Sequence, residues 1–244
     1  MSASPINPPI SALLLDIEGT TTPIDFVYKV LFPYARAHAA EFLAAHRSEV
    51  ADDIQGLLRE NAEDTAQGLN PPPISGGSVE ELTAYVHWLM DQDRKTTALK
   101  SLQGKIWQAG YLAGELHSQV FEDIPRAFKR WREQDKNICI YSSGSVLAQK
   151  LLFANTEAGD LTGFISSYFD TNIGPKKYAE SYHRIANALA VEPSAIVFVS
   201  DVTAELKAAA SAGLETLLCV RPGNHPQPGA SEFSAIHSFD EVFK

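Results

Sequence analysis

Short uninterrupted apolar runs and segments whose apolar positions recur every three or four residues occupy separate territories along this chain. Ala12–Leu15 is four apolar residues in a row, the mark of a strand buried on both faces. From Asn137 onward such runs return at residues 138–141, 164–169, 195–199 and 216–220. Between them the periodicity predicts helices over 146–153, 178–189 and 203–212, the last stopped by Gly213. This alternation predicts a parallel sheet covered by helices, to which Ala12–Leu15 belongs by character. From about residue 25 to 120 the strand-like runs vanish. Helices are predicted there over 31–46, 48–60, 78–92 and 97–116, with a loop over 67–77, where three prolines and a Gly-Gly pair break any regular element. The pattern predicts an α/β core of residues 1–24 and 121–244, interrupted just after its first strand by a helical insert, residues 25–120. An insert at that point leaves from the carboxyl edge of the sheet, where open α/β folds bind ligands, and is placed to act as a lid.

Composition narrows the partners. The 244 residues are 45% hydrophobic and 20% charged, enough apolar material for a sizeable core. A net charge of -10 argues against nucleic acid and anionic membrane surfaces as partners. An anionic small-molecule substrate stays possible if a metal or a lysine meets its charge locally. The two cysteines, Cys139 and Cys219, sit inside apolar runs and read as buried, reduced thiols. No run approaches the roughly 18 apolar residues of a membrane span. Residues 1–10 show neither a basic region nor an apolar stretch of signal-peptide length, so the expectation is a soluble, cytoplasmic protein.

Candidate chemistry gathers where the apolar runs end. Asp16-Ile17-Glu18-Gly19-Thr20 follows the first run directly. Two acids on alternate residues of an extended segment point the same way, and their repulsion is relieved if a divalent cation sits between them. An aspartate beside a metal is also a competent nucleophile towards phosphorus. The bland alternative is a turn built from residues that favour turns anyway. Ser142, Ser143 and Ser145 follow the run at 138–141, where hydroxyls and helix-start amides can hold a phosphate, although one serine should simply cap the next helix. Asp201 and Glu205 follow the run at 195–199; Asp201 is placed to complete a metal site begun by Asp16, or else to cap a helix. Lys176 precedes a helix, an unfavourable place for a cation unless it faces an anion, and read alone it is a solvated charge.

Taken in order, Asp16-x-Glu18-Gly19-Thr20, Ser142 or Ser143, Lys176 and Asp201-x-x-x-Glu205 resemble the four motifs of the haloacid dehalogenase superfamily. The longer phrases at 16–24, 93–104, 141–146, 148–153 and 221–224 are similar to the bifunctional enolase-phosphatases of methionine salvage, and the resemblance runs from about Ala12 to Asn224, helical insert included. It implies a Rossmann-like core with a helical cap, and a phosphoric monoester hydrolase binding one Mg²⁺ per chain. Asp16 would form an aspartyl-phosphate. Glu18, where most of the superfamily's phosphatases carry Asp, would give its carbonyl to the metal and its side chain to acid–base work. Asp201 would be a metal ligand and Glu205 a supporting acid, and Ser142, Ser143 and Lys176 would hold the phosphate. The implied substrate is 2,3-diketo-5-methylthiopentyl 1-phosphate, and the resemblance favours a monomer. Rival readings are a generalist sugar-phosphate or phosphoglycolate-type phosphatase, a dehalogenase, which needs neither metal nor second carboxylate, and a catalytically silent binding protein. Substrate choice is expected from the insert, where Arg94, Lys95, Thr96, Thr97 and Lys100 accompany Leu99, Leu102, Ile106 and Trp107.

Overall fold

The computed structural model describes residues 10–244, so the expectation about a leader segment falls, but for Ile10, outside the described residues. The chain divides into two compact units: one runs to Val27 and resumes at His117, the other spans Tyr28–Leu116.

The first unit is built on six parallel strands, β1 (Ala12–Leu15), β2 (Asn137–Tyr141), β3 (Ile165–Phe169), β4 (Ile196–Ser200), β5 (Glu215–Cys219) and β6 (Ala235–Ile236), in the order β3-β2-β1-β4-β5-β6. The expected α/β class is the one observed. Leu14 pairs with Cys139 on one side and Phe198 on the other, which puts β1 at the centre. From β1 the chain winds outward through β2 and β3, then returns to start β4 on the opposite side of β1. The β1/β4 boundary is therefore the switch point at which an open parallel sheet forms a crevice beyond its strand ends. Asp16 and Asp201 are the residues that follow these two strands. Beneath them Leu14, Cys139, Tyr141, Tyr182, Phe198 and Leu206 are packed as one core.

A short turn, α1 (Ile24–Phe26), and a π-helical turn at Val27–Leu31 lead out of this unit. In the second unit α2 (Phe32–Ala45) packs on α4 (Val79–Asp91) and α5 (Thr97–Leu112), and α3 (Ala51–Ala66) packs on the same two helices. Ser78 opens α4 with a capping box: it accepts from the Glu81 amide and its own amide donates to Glu81. Helix α3 continues six residues past its expected end because its polar tail is satisfied inside the unit. Asn61 donates to the Pro72 carbonyl at 2.9 Å, and Asp64 accepts from the Tyr85 hydroxyl at 2.7 Å. Helix α5 stops earlier than expected, two residues before Gly114, whose φ of +73° is costly for other residues.

Returning to the first unit, α6 (Ile124–Glu133), α7 (Val146–Ala154), α8 (Ala179–Leu189) and α9 (Thr203–Ser211) accompany the sheet. Helix α6 is absent from the expected set. Its buried stripe, Ile124, Ala127, Phe128 and Trp131, has helical spacing and lies against β2.

Candidate active site

Asp16 leaves β1 with its amide bonded to the Val199 carbonyl at 3.0 Å, so the sheet ladder fixes where its side chain begins. The chain then turns sharply. The amides of Thr20, Thr21 and Thr22 all return to the Ile17 carbonyl, and Glu18 and Thr22 form an isolated bridge. Gly19 makes this turn possible twice over. Its φ is +72°, and an added Cβ would stand 2.6 Å from an Asp201 carboxylate oxygen and 2.9 Å from Asn224 Oδ1.

Around Asp16 the side chains form a buried cluster. Lys176 Nζ lies 2.6 Å from Asp16 Oδ1 and 2.6 Å from Glu205 Oε2, with all three residues buried. The Ile17 amide donates to Asp16 Oδ1 at 2.7 Å. Ser200 Oγ lies 3.2 Å from Asp16 Oδ2 and 3.1 Å from Glu205 Oε2, while accepting from the Val202 amide. The resulting ring of Asp16, Lys176, Glu205 and Ser200 spans the ends of β1 and β4. Burial alone would lower the Lys176 pKa, but Asp16 and Glu205 outweigh it, and the ammonium is held above its ordinary value. Glu205 moves up, burial first and Lys176 opposing. Asp201 is pushed up to about 7, first by burial and then by the charge of Asp16.

Three hydroxyls hold the backbone that delivers Lys176. Tyr141 donates to the Gly174 carbonyl at 2.7 Å, Ser181 to Pro175 at 2.8 Å and Tyr182 to Lys176 itself at 2.7 Å. Lys176 thus enters the crevice while Lys177 stays exposed. The cation ahead of a helix does face anions. Lys176→Ala would leave two carboxylates buried without their cation, and the expected loss is about 3–5 kcal/mol of unfolding free energy. Urea titration checks this; a loss below about 1 kcal/mol would mean that the cluster is solvated.

The serines divide their work. Ser145 caps α7 through the Ala148 amide. Ser142 is buried and accepts from the Gly144 amide at 3.1 Å, shaping the loop after β2, with Ser143 beside it and partly exposed. Gln149 braces this loop by donating to the carbonyls of Gly144 and Phe169.

The three expected metal ligands, Asp16, Glu18 and Asp201, do not gather as three side chains. Among the described residues no group of three acidic, histidine or cysteine side chains stands ready for a metal. The donor assigned to Glu18 is a main-chain carbonyl, and the third nearby carboxylate, Glu205, is bound by Lys176. The remaining set suits a hard divalent cation: two buried carboxylates at a switch point, one of them raised first by burial and then by the other's charge, and a glycine face that keeps Asp201 clear.

In the helical unit, Arg94 is already engaged, with Glu60 at 3.0 Å and Asp64 at 3.1 Å. Leu99, Leu102 and Ile106 are buried, and Trp107 donates to the Leu31 carbonyl. The segment expected to choose substrate therefore has its main cation and apolar face committed to packing.

A family model of haloacid dehalogenase-like hydrolases matches residues 10–213. Enolase-phosphatase E1 of Synechococcus elongatus is 51% identical over 240 residues, which cover 98% of this chain and 100% of that protein. The chain belongs to the enolase-phosphatases, within the haloacid dehalogenase-like hydrolases. Enolase-phosphatase E1 of Drosophila persimilis is 46% identical over 228 residues, 91% of this chain and 89% of that one. A Populus trichocarpa relative, 45% identical over 247 residues, covers 97% of this chain but only 48% of its own length, and its name pairs enolase-phosphatase E1 with a probable methylthioribulose-1-phosphate dehydratase. The crystal structure of the UTR4 protein of Saccharomyces cerevisiae matches with a TM-score of 0.77 at 34% identity, over 95% of this chain and 99% of that one. This enolase-phosphatase is thus a phosphatase by family, and such enzymes generally depend on a metal. No helix among the described residues is long and apolar enough to cross a membrane.

Proposed function

We propose that this chain is a cytoplasmic, monomeric, Mg²⁺-dependent enolase-phosphatase acting on 2,3-diketo-5-methylthiopentyl 1-phosphate in methionine salvage. The substrate is enolised and then dephosphorylated to 1,2-dihydroxy-3-keto-5-methylthiopentene. The reading is carried by the Asp16 carboxylate at the switch point, oriented by Lys176 and the Ile17 amide. The names of its relatives support the substrate. The helical unit is proposed as the cap.

Asp16, Asp201 and the Glu18 carbonyl would hold Mg²⁺, which would supply charge neutralisation for an incoming phosphate. The rest is the work of side chains. A carboxylate oxygen of Asp16 bonds to phosphorus as the ester P–O bond breaks. The departing enol oxygen takes its proton from the Glu18 carboxyl. Glu18 then removes a proton from water, whose oxygen bonds to phosphorus and releases Asp16. Lys176 and the Ser142–Ser143 loop hold the phosphate oxygens, so transfer rests on positioning and charge.

Ultraviolet absorbance tests both halves. Enolisation conjugates an enol with the remaining ketone, so a chromophore is expected to form on mixing with the diketo phosphate and to change as phosphate is released. Phosphate release with no chromophore would identify a generalist phosphatase.

A further inference from the structure

The segment after β5 holds the turn that carries Glu18, and the phosphatase chemistry above makes no use of it. Arg221 Nε donates to the Thr20 carbonyl at 3.2 Å. Asn224 Nδ2 donates to the Gly19 carbonyl at 2.9 Å and to Cys219 at 3.3 Å. Two successive carbonyls of the turn are thus each gripped by a side chain from a separate part of the sequence.

Neither side chain is free to drift. The Arg221 guanidinium lies between the rings of Phe121, at 4.4 Å, and Phe239, at 5.0 Å. It pairs with buried Asp123 at 2.9 Å and donates to the His237 carbonyl at 3.1 Å. Asp123 is fixed in turn by the Ser238 hydroxyl and the Phe239 amide. The Asn224 amide is oriented by its two acceptors, which leaves Oδ1 facing the bare side of Gly19. That oxygen is buried and has no hydrogen-bond partner among the described residues. The same face of Gly19 receives the Asp201 carboxylate. Asn224 and Asp201 thus meet across the one face of Gly19 that carries no side chain.

We propose that Asn224 and Arg221 are positioning residues: they fix the Gly19 and Thr20 carbonyls and thereby the distance from the Glu18 main chain to Asp201. The inference rests on the proposed function, since it assigns them the geometry of the proposed metal ligands. Ordering this turn costs on the order of 1–2 kcal/mol of backbone entropy per residue, so an unclamped turn would sample many spacings. A cation that needs near-ideal octahedral geometry tolerates such sampling poorly.

The test compares the unmodified chain with Asn224→Ala and Asn224→Asp, using Mg²⁺ binding by calorimetry without substrate, and kcat and KM for p-nitrophenyl phosphate. Asn224→Ala is expected to weaken Mg²⁺ at least about tenfold and to lower kcat similarly, with KM within about twofold and the melting temperature little changed. Asn224→Asp loses the donor and sets a carboxylate against the Gly19 carbonyl and Asp201, and should be worse on both counts. Asn224 is only partly buried, so neither change removes core. Arg221→Lys keeps the charge on Asp123 and should give the same split more weakly, even if its melting temperature falls. Mg²⁺ affinity and kcat within twofold of the unmodified chain in both Asn224 variants would overturn the inference. Failure of the unmodified chain itself to bind Mg²⁺ or release phosphate would instead overturn the function on which it rests.

Discussion

Asp16→Asn is expected to abolish phosphate release while leaving the chain folded. The side chain keeps its size, and its Oδ1 can still accept from Lys176 and the Ile17 amide, the two contacts that now orient it. Lys176 retains Glu205 as a counter-charge. What disappears is the anionic oxygen that would attack phosphorus. Losing the nucleophile should lower kcat by at least about 10⁴-fold, with an unchanged near-ultraviolet dichroism spectrum showing that the core is intact. Acid-quenching the unmodified enzyme during turnover should leave a phosphoryl group on the Asp16 peptide by mass spectrometry, and the variant should carry none. Residual turnover within about a hundredfold, with the same metal requirement, would remove Asp16 from the nucleophile's role.

Asp201→Asn is expected to stabilise the metal-free chain at alkaline pH while weakening its use of Mg²⁺. The Asp201 carboxyl is pushed up from an ordinary 3.8 to about 7, by burial and then by Asp16. A carboxyl raised in this way favours the folded state while it is protonated, and that contribution is lost as pH rises through the folded value. Above about pH 7 the ionised group therefore costs the metal-free fold up to roughly 4 kcal/mol, an upper figure. Asparagine removes the cost. The variant should outlast the unmodified chain in urea at pH 8, and the difference should close as pH falls from 7 towards 4. Mg²⁺ should reverse the order at pH 8, because it stabilises the chain that keeps the carboxylate more than the variant, which binds it more weakly. In assays, chelation should stop phosphate release, Mg²⁺ should restore it, and the variant should need much more of it. An unmodified chain that is the more stable at pH 8 without metal would show that Asp201 is not a charge awaiting a cation.

The core was legible in the sequence because buried parallel strands are written as unbroken apolar runs. Ala12–Leu15 stands as the pattern predicts, and the other long strands lie within a residue of their expected positions. β6 escaped because two residues, Ala235–Ile236, have no period to read. Helix α6 had a readable stripe, but its arginines and lysine hide it from a search for apolar density; attention to the spacing of Ile124, Phe128 and Trp131 would have found it. Asp16 and Asp201 could be named because each follows a strand at the expected edge, whereas Lys176, read alone as a solvated charge, was picked out by the resemblance to the family. The place of Ser200 between two carboxylates could not be read, since a hydroxyl at a strand end looks the same whether it caps a helix or bridges two acids. Asp123 is similarly silent: its partner Arg221 is nearly a hundred residues away, and nothing local marks either as one half of a pair.

The three hydroxyl bonds to Gly174, Pro175 and Lys176 act on main-chain carbonyls, which every residue type possesses. They work as a register key. The frame is set by Tyr141, Ser181 and Tyr182, and whichever residue occupies the third slot is turned inward. Chemical identity at that slot and spatial addressing of the slot are thus encoded in different parts of the chain. Lys177, one residue out of frame, stands in solvent as a near copy that the key never selects. A shift of this frame by one residue would present the wrong side chain without deleting either lysine, a lesion invisible to any inventory of catalytic groups.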